Sequence, residues 1–506
     1  MKKTIQHIVF CSFVLLGLLG CDKYLDIVPD KTQEVSLMFQ RKEAAYPALV
    51  TCYSYLPQND GLYATFTLAS DELTTPLAKE PNSIKLMKGQ QVADNPIMSF
   101  WSGYGASGRG QGSLWDGIRA CNTLIANIDQ ALDMTQVEKN TWKAEATVLK
   151  AYYHFLLLNY YGPIPIVDVN LPIDALDEEL RVHRNTVDEV VTYILNTLDL
   201  SISVLPERVT GSNDLGRMDQ VIAHAIKSKV SLYAASPLFN GNSEFYSDFL
   251  NHESVHFFNQ NNEISKWETA AIAAEDAIAA ALAQGAELYK YTGSVPSHDQ
   301  SNFQYTTIRT LYDIKYSIVD KWNSEVLWGD SNPVNDWWRL QSGALMKDPT
   351  ASSVQAAWQW VAPTMRMAEL YYTENGLPID EDLMHDFSDK FSTVRVSSSQ
   401  KMYALPGLTT AKLHLHREPR FYSSIGFDSG QYRAWGELWN LRMKKGQTHG
   451  RIANSSDYLI TGFSLKKLVH PDSEGDAYDK LIRYPWPNAR LAELYLNYAE
   501  AVNEAY

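Results

Sequence analysis

The feature that most constrains this fold is a block of helical periodicity between residues 113 and 161. Apolar side chains recur there at spacings of three and four, which places them on one face of a helix. The block holds two such segments, 113–134 and 137–161, and Gly162-Pro163 ends the second because proline cannot continue a helix. Two amphipathic segments in succession predict two helices that bury their apolar faces against neighbouring helices.

The same pattern returns in four later segments: 187–204, 219–235, 266–282 and 489–505. These segments combine small residues, which let helices approach, with aromatic residues that fill space, and this combination is typical of tetratricopeptide pairs. No strict period of about 34 residues is visible. We therefore predict a mostly α fold of degenerate tetratricopeptide-like helical repeats. An ordinary irregular helical domain remains the alternative.

The helical pattern fades in two regions. Residues 57–112 are rich in Gly, Asn and Pro, and residues 302–472 carry only short runs with strand character, namely SEVLWGD, KLHLH and RFYSSIGF. Long irregular segments on a helical scaffold are where binding residues usually lie. We predict a helical region over 37–301 that includes the loop 57–112, a loop-rich ligand-binding insert with short strands over 302–472, and a return to the helical repeat over 473–506.

The N-terminus has the pattern of an export signal. A basic pair, Lys2 and Lys3, precedes an apolar run over 8–20 that is shorter than the ~20 residues a membrane-spanning helix needs. The run ends at Leu-Leu-Gly-Cys21, which resembles a bacterial lipobox. We predict a lipoprotein signal peptide over 1–20, acylation of Cys21 and a lipidated tether over 21–36. An ordinary signal peptide with a chance cysteine is the alternative.

The net charge of the chain narrows the class of partner that it can bind. The formal net charge is −15, which opposes binding to phosphate backbones, so we expect no nucleic acid partner.

Besides Cys11 in the signal peptide and Cys21, the chain has Cys52 and Cys121, both in helical patterns. One disulfide between them is possible in an exported protein, and buried small hydrophobic side chains are the favoured interpretation.

Motifs for catalysis are weak. The stretch 103–108 fits G-x-G-x-x-G, but a polar helical segment follows it and no βαβ unit forms around it. The same stretch is no G-x-S-x-G nucleophile elbow, because Arg109 occupies the last glycine position. Carboxylates are numerous, but no glycosidase pair can be selected without three-dimensional distances. We therefore predict no catalytic residues and no cofactor.

Two clusters of side chains carry atoms that can bind metal ions. His414 and His416 would share one face of a strand, but zinc needs three or four ligands and the chain has no H-E-x-x-H motif. Asp380-Glu381-Asp382 with Asp386 offers oxygen ligands for Ca²⁺ but lacks the EF-hand spacing and its glycine. A solvated acidic turn is the favoured interpretation of the second cluster, and we predict no metal site.

Aromatic residues in polar loops are the best candidates for ligand contact. Two adjacent tryptophans cannot both face a core from one strand, and Trp337-Trp338 stand among polar residues. A flat aromatic ring covers the apolar C–H face of a sugar, and amide or charged side chains bond its hydroxyls. The predicted glycan-binding residues are Trp101, Tyr104, Asn335, Asp336, Trp337, Trp338 and Arg339. Trp322 and Trp360 are further candidates, and core packing or an interface is the alternative for each ring.

Several stretches, in order along the chain, resemble the SusD/RagB family of bacterial outer-membrane nutrient-binding lipoproteins. They are CDKYLDIVP, WKAEATVLKAYYHFLLLNYYGPIPIV, PTMRMAELYYTENGLPI, HREPRFYSSIGF, TGFSLKKLV and RLAELYLNYAEAVNEA. One departure is Glu418, where the family usually has Asp. Another is the end of the chain at Tyr506, inside what looks like an unfinished repeat, so we expect the last segment to be truncated.

The resemblance implies a fold and a function. It implies a tetratricopeptide-like platform that is anchored by lipid at the surface of the outer membrane and forms a lid on a SusC-like TonB-dependent transporter. It implies binding of an oligosaccharide or a peptide for import, at loops of the two irregular regions, without enzymatic activity. The rival interpretations are a protein-interaction scaffold, a peptide-binding lid of the same transporter and, less favoured, a surface glycosidase.

Overall fold

The computed structural model describes residues 35–57, 67–77, 79–103, 112–172, 174–296, 299, 305–333, 359–434, 437–451, 457–473 and 481–506. The helices are α1 Val35–Met38, α2 Lys42–Ser54, α3 Pro81–Met87, α4 Leu114–Asn127, α5 Gln136–Tyr161, α6 Asp177–Leu180, α7 Val187–Ile202, α8 Gln220–Ala235, α9 Ser243–Tyr246, α10 Ile264–Ala283, α11 Tyr305–Val319, α12 Met365–Leu370, α13 Pro419–Ser424 and α14 Leu491–Ala505. Cys21, the lipobox and most of the tether lie outside the described residues. No helix within the described ranges is long and apolar enough to cross a membrane.

Capping residues set where the long helices begin. The Ser113 hydroxyl accepts a hydrogen bond from the Asp116 N–H, and the Asp116 carboxylate accepts one from the Ser113 N–H, which forms a capping box. Thr135 with Glu138 starts α5 in the same way, and Thr186 starts α7. The helix α5 ends at Gly162, whose φ of 69° is a conformation that glycine adopts readily.

The long helices pack on one another in chain order. Helix α2 lies against α4, α4 against α5, α5 against α7, α7 against α8, and α8 against α10, while α14 returns to pack on α10 and α8. This succession of neighbours confirms the predicted mostly α fold of degenerate helical repeats. The main core lies between these helices, and Cys52 and Cys121 are buried free thiols within it, as the favoured interpretation held.

Within the described ranges, the strands are short and form five antiparallel pairs. They are β1 Leu73–Thr74 with β3 Ala362–Pro363, β2 Val326–Asp330 with β10 Trp486–Arg490, β4 Thr393–Arg395 with β5 Thr409–Ala411, β6 Ile425–Gly426 with β9 Ser464–Leu465, and β7 Gln431–Ala434 with β8 Glu437–Asn440. Strand β2 confirms the prediction for SEVLWGD. A second core lies in the insert, where α11 packs against α13.

Two strand predictions were wrong. The run RFYSSIGF is mostly the helix α13, because Pro419 occupies its first turn, where proline is tolerated, and only Ile425–Gly426 pairs as a strand. The run KLHLH forms a short 3₁₀ turn over Lys412–His414. His414 is buried against Thr410, whereas His416 has a φ of 57°, so these two histidines do not share a strand face.

Candidate functional site: a tyrosine-lined cavity in the insert

Most of the predicted glycan-binding residues lie outside the described residues. This holds for Tyr104 and for the run 335–339 with its two tryptophans. Trp101 is described and half-buried, and its ring meets those of Trp115 and Tyr161 edge-on, with centroids 5.0 and 5.4 Å away. Its backbone N–H donates to the Tyr161 hydroxyl at 3.1 Å. One side of the Trp101 ring therefore packs on α4 and α5, and its contact with a ligand stays a prediction.

The two further tryptophan candidates are held by neighbours within the fold. The Trp360 indole N–H donates to Asp457 at 2.8 Å, and the Lys79 ammonium lies 4.6 Å from its ring centroid. Trp322 covers Gly329 of β2 so closely that a Cβ on that glycine would lie 3.0 Å from the indole ring. Both indole rings therefore pack against other residues of the fold.

A cavity of about 280 Å³ opens mostly within the insert predicted to bind ligand, and the segment just before the insert completes its lining with Tyr291 and Asp299. Its volume is just below the range of about 300–1,000 Å³ that is usual for small-molecule sites. The aromatic and charged residues that line it are Tyr291, Asp299, Tyr312, Lys315, Tyr316, Tyr422, Tyr432, Arg433, Lys466 and Asp472. The predictions from sequence included none of these residues.

Three tyrosines form an aromatic wall. Tyr312 and Tyr316 are four residues apart on α11, so both project from one face of the helix, and their rings stack with centroids 5.8 Å apart. Tyr291 lies over both, 5.1 Å from the first ring and 4.5 Å from the second. Burial raises the pKa of Tyr312 and of Tyr316, so both stay neutral hydroxyl donors over the physiological range.

A buried carboxylate organises the polar side of the cavity. One oxygen of Asp299 accepts a hydrogen bond from Arg433 Nε at 2.8 Å and another from the Tyr312 hydroxyl at 3.1 Å. Arg433 also donates to the carbonyl of Met402 at 3.1 Å. The ion pair therefore fixes the Tyr312 ring and the guanidinium in one arrangement.

Lys466 gives the cavity a charge that depends on pH. Its ammonium donates to the carbonyl oxygens of Tyr422 and Gln431. Burial and, as the smaller cause, the nearby Arg433 charge together lower the pKa of Lys466 to about 7. Near neutral pH the Lys466 side chain is therefore a neutral amine in some molecules and an ammonium group in the others.

The arrangement suits a ligand with flat apolar faces and a polar rim. Tyrosine rings can stack on such faces, while Asp299, Arg433 and Lys466 can bond hydroxyl or amide groups. Among the described residues, one group of metal-ligating side chains, Glu374 with His385 and His416, brings its donor atoms together.

The sequence signal for the cavity was the tyrosine pair on α11, but its partners Tyr291, Tyr422 and Tyr432 are distant in the chain.

The fold and the cavity define a mostly helical protein whose irregular insert carries an aromatic cavity. Two family models match the chain: one described as the SusD family over residues 324–505, and one described as starch-binding associating with outer membrane over residues 23–232. The chain belongs to the SusD family. A comparison with curated proteins gives no match.

Solved structures share the fold over most of this chain. The protein BT4246 is 28% identical, with a TM-score of 0.74 over 92% of this chain and 80% of its own. A SusD-like protein from Bacteroides fragilis, BF3747, is 18% identical, with a TM-score of 0.61 over 92% of this chain and 77% of its own. A laminarin-binding SusD-like protein is 16% identical, with a TM-score of 0.53 over 92% of this chain and 82% of its own. At these sequence identities, the last two structures show similarity of fold alone.

Proposed function

We propose that this protein captures an oligosaccharide at the bacterial surface and delivers it to a SusC-like TonB-dependent transporter of the outer membrane. The observation that carries the proposal is the tyrosine-lined cavity in the insert of a SusD-family chain. Tyrosine rings and a fixed Asp–Arg pair match the apolar faces and hydroxyl rims of sugar rings. The protein acts by binding, without bond cleavage.

The lipid anchor and the loop tryptophans belong to the same proposal. Acylation of Cys21 holds the chain at the outer membrane, facing outward. Trp101, Tyr104 and the run 335–339 add stacking surfaces and polar groups beyond the cavity. Each stacked ring contributes ~1 kcal/mol by analogy with aromatic pairs, so the affinity for a short glycan is modest. Modest affinity suits a protein that must release its ligand to a transporter.

Calorimetry on the full chain in mild detergent tests the proposal. The chain is titrated with neutral and acidic oligosaccharides, and reducing ends are assayed in the same samples. We expect saturable binding of one glycan class with no new reducing ends. The variant Trp337→Ala/Trp338→Ala should bind more weakly, while Phe245→Ala, an exposed ring on α9, should bind like the parent.

The outcomes separate the rival functions. Release of reducing ends would favour a glycosidase. Binding of peptides but of no glycan would favour a peptide-binding lid. If folded protein binds neither class and the double tryptophan variant loses only its association with the transporter, the protein is an interaction scaffold and the capture proposal is wrong.

A further inference from the structure

Glu374, His385 and His416 bring three metal-ligand atoms together in the insert. One carboxylate oxygen of Glu374 lies 2.8 Å from His416 Nδ1 and 3.0 Å from His385 Nε2. The two imidazole rings are stacked, with centroids 4.2 Å apart and planes 20° apart. All three donor atoms lie within 4.8 Å of one another. Two imidazoles therefore meet at a single carboxylate oxygen.

The backbone around Glu374 and His416 holds both side chains in place. The Glu374 N–H donates to the carbonyl of His416 at 2.9 Å, and the neighbouring residues Thr373 and Arg417 form an antiparallel bridge. Arg417 is buried and donates to the carbonyls of Leu413 and Ala368, both at 2.8 Å. The two segments are thus fixed to each other by main-chain and guanidinium hydrogen bonds.

His416 itself adopts a costly conformation. Its φ of 57° is in the left-handed region, which residues with a Cβ rarely adopt and which costs free energy where it persists. In this conformation His416 Nδ1 meets the Glu374 carboxylate, whereas buried His414 bonds Thr410. Strained residues of this kind cluster at ligand-binding sites.

His385 is fixed by a separate acidic turn. Asp382 accepts hydrogen bonds from the Met384 N–H at 2.9 Å and from the Asn375 amide at 3.0 Å, and its carbonyl accepts from the His385 N–H at 3.3 Å. The cluster predicted as a solvated acidic turn therefore supports the second histidine. Glu374 and His385 both lie more than about 30 residues before His416 in the chain, which is why the pattern of His414 and His416 did not reveal them.

The donor set has the chemistry of a transition-metal site. Two imidazole nitrogens and one carboxylate oxygen form a known three-ligand zinc set that leaves one coordination position open. Tetrahedral zinc with ligand bonds of about 2.1 Å separates its ligand atoms by about 3.4 Å, so small rotations of the side chains would suffice. The side chains of His385, His416 and Glu374 are 21%, 38% and 40% exposed, so an ion can reach them from solvent.

We propose that Glu374, His385 and His416 form a surface-accessible site for Zn²⁺, with water or an oxygen of a bound molecule in the open position. Gln400 contacts the site from outside the three ligands. Its side-chain oxygen lies 3.5 Å from the backbone nitrogen of His416 and accepts a hydrogen bond from the Tyr422 hydroxyl at 3.3 Å. Since Tyr422 lines the tyrosine cavity, the site borders the cavity wall through one side chain.

Zinc titration of the full chain tests the site. The protein is purified in mild detergent without a histidine tag, freed of metal by chelator and titrated with zinc chloride in a calorimeter. We expect one saturable equivalent, and a melting temperature that rises with zinc. Calcium and magnesium chloride, run in parallel, should bind more weakly because those ions prefer oxygen ligands.

Variants assign the binding to the three side chains. We expect Glu374→Gln and His385→Ala each to weaken zinc binding by at least about tenfold, since even outer partners contribute that much. His252→Ala is the matched control, because His252 is an exposed histidine stacked on His183 at 4.6 Å whose neighbouring Glu253 carboxylate lies 3.9 Å away. Unchanged zinc affinity in folded Glu374→Gln and His385→Ala, or no saturable zinc binding by the parent chain, would overturn the proposal.

Discussion

Arg217 and Glu145 form a two-point ion pair in the helical core. Arg217 Nη2 lies 2.6 Å from one carboxylate oxygen of Glu145 and Arg217 Nε lies 3.1 Å from the other. Glu145 also accepts a hydrogen bond from the Tyr53 hydroxyl at 2.6 Å, and its side chain is only 2% exposed. One buried carboxylate on α5 therefore ties together α2, α5 and the segment that leads into α8.

Replacing Glu145 by Gln should strongly destabilise the protein. The substitution keeps the shape but removes the buried partner of Arg217 and leaves it only Asp214, which is 45% exposed. Breaking a buried pair costs about 3–5 kcal/mol. Denaturant unfolding followed by circular dichroism measures the change in the free energy of unfolding. Lys143→Ala is the control on the same helix, because its partner Asp129 is 58% exposed and exposed pairs contribute about 1 kcal/mol or less. Equal effects of the two variants would contradict the prediction.

Gly117→Ala should also lower the free energy of unfolding. Alanine is the better helix former by about 1 kcal/mol, but a Cβ at this position in α4 would lie 2.9 Å from Tyr55 Cβ and 3.0 Å from the Tyr153 ring. Overpacking of a core costs about 1–3 kcal/mol, so we expect a net loss. Gly211→Ala is the control, since the nearest atom to its Cβ would be 3.5 Å away. Greater stability of Gly117→Ala in a thermal melt would show that α2 and α5 can move aside.

His154 should make the protein less stable in mild acid. Its Nδ1 bonds the Lys150 carbonyl, its Nε2 accepts from the Val167 N–H, and burial lowers its pKa to about 4 from an ordinary value of about 6.5. Between pH 6.5 and pH 4 the unfolded chain takes up a proton that folded His154 does not. The free energy of unfolding therefore falls by about 1.4 kcal/mol per pH unit through this group.

The matching experiment compares the parent chain with His154→Gln. Denaturant unfolding at pH 7 and at pH 5 should show that the parent loses about 2 kcal/mol more than the variant. The buried His414 and His470, whose pKa values are also lowered, are present in both proteins and cancel in the comparison. Parallel losses of stability in the two proteins would exclude His154 as a source of acid sensitivity.

The helices could be predicted from sequence because their signals are local. Periodic apolar residues, capping residues such as Thr186 and the stop at Gly162 all act within a few residues of where they stand. The insert could not be predicted as well, because its structure depends on distant partners. Arg417, which lies between two runs predicted as strands, is buried and donates hydrogen bonds to the carbonyls of Ala368 and Tyr371 far back in the chain.

The tyrosine-lined cavity illustrates the same limit. Tyr312 and Tyr316 are visible as a pair on one helix, but no local pattern indicates that Tyr291 covers them or that Asp299 pairs with Arg433. Tryptophans in polar loops can be selected from sequence because their exposure can be inferred there. Tyrosines at the edge of a core cannot, because a cavity wall and ordinary packing have the same sequence pattern.

Tyr291→Ala should weaken binding of the oligosaccharide that the parent chain binds. Tyr291 is the half-buried ring that lies over Tyr312 and Tyr316 in the cavity, so its loss removes one stacking surface. A ring contact contributes about 0.5–1.5 kcal/mol, which corresponds to a dissociation constant that is about twofold to twelvefold larger. Tyr291→Phe keeps the ring and should bind nearly as the parent does, which separates stacking from the hydroxyl bond to the Ser294 carbonyl. Calorimetry with the bound glycan measures both variants, and an unchanged affinity of folded Tyr291→Ala would place the glycan outside this cavity, at the loop tryptophans instead.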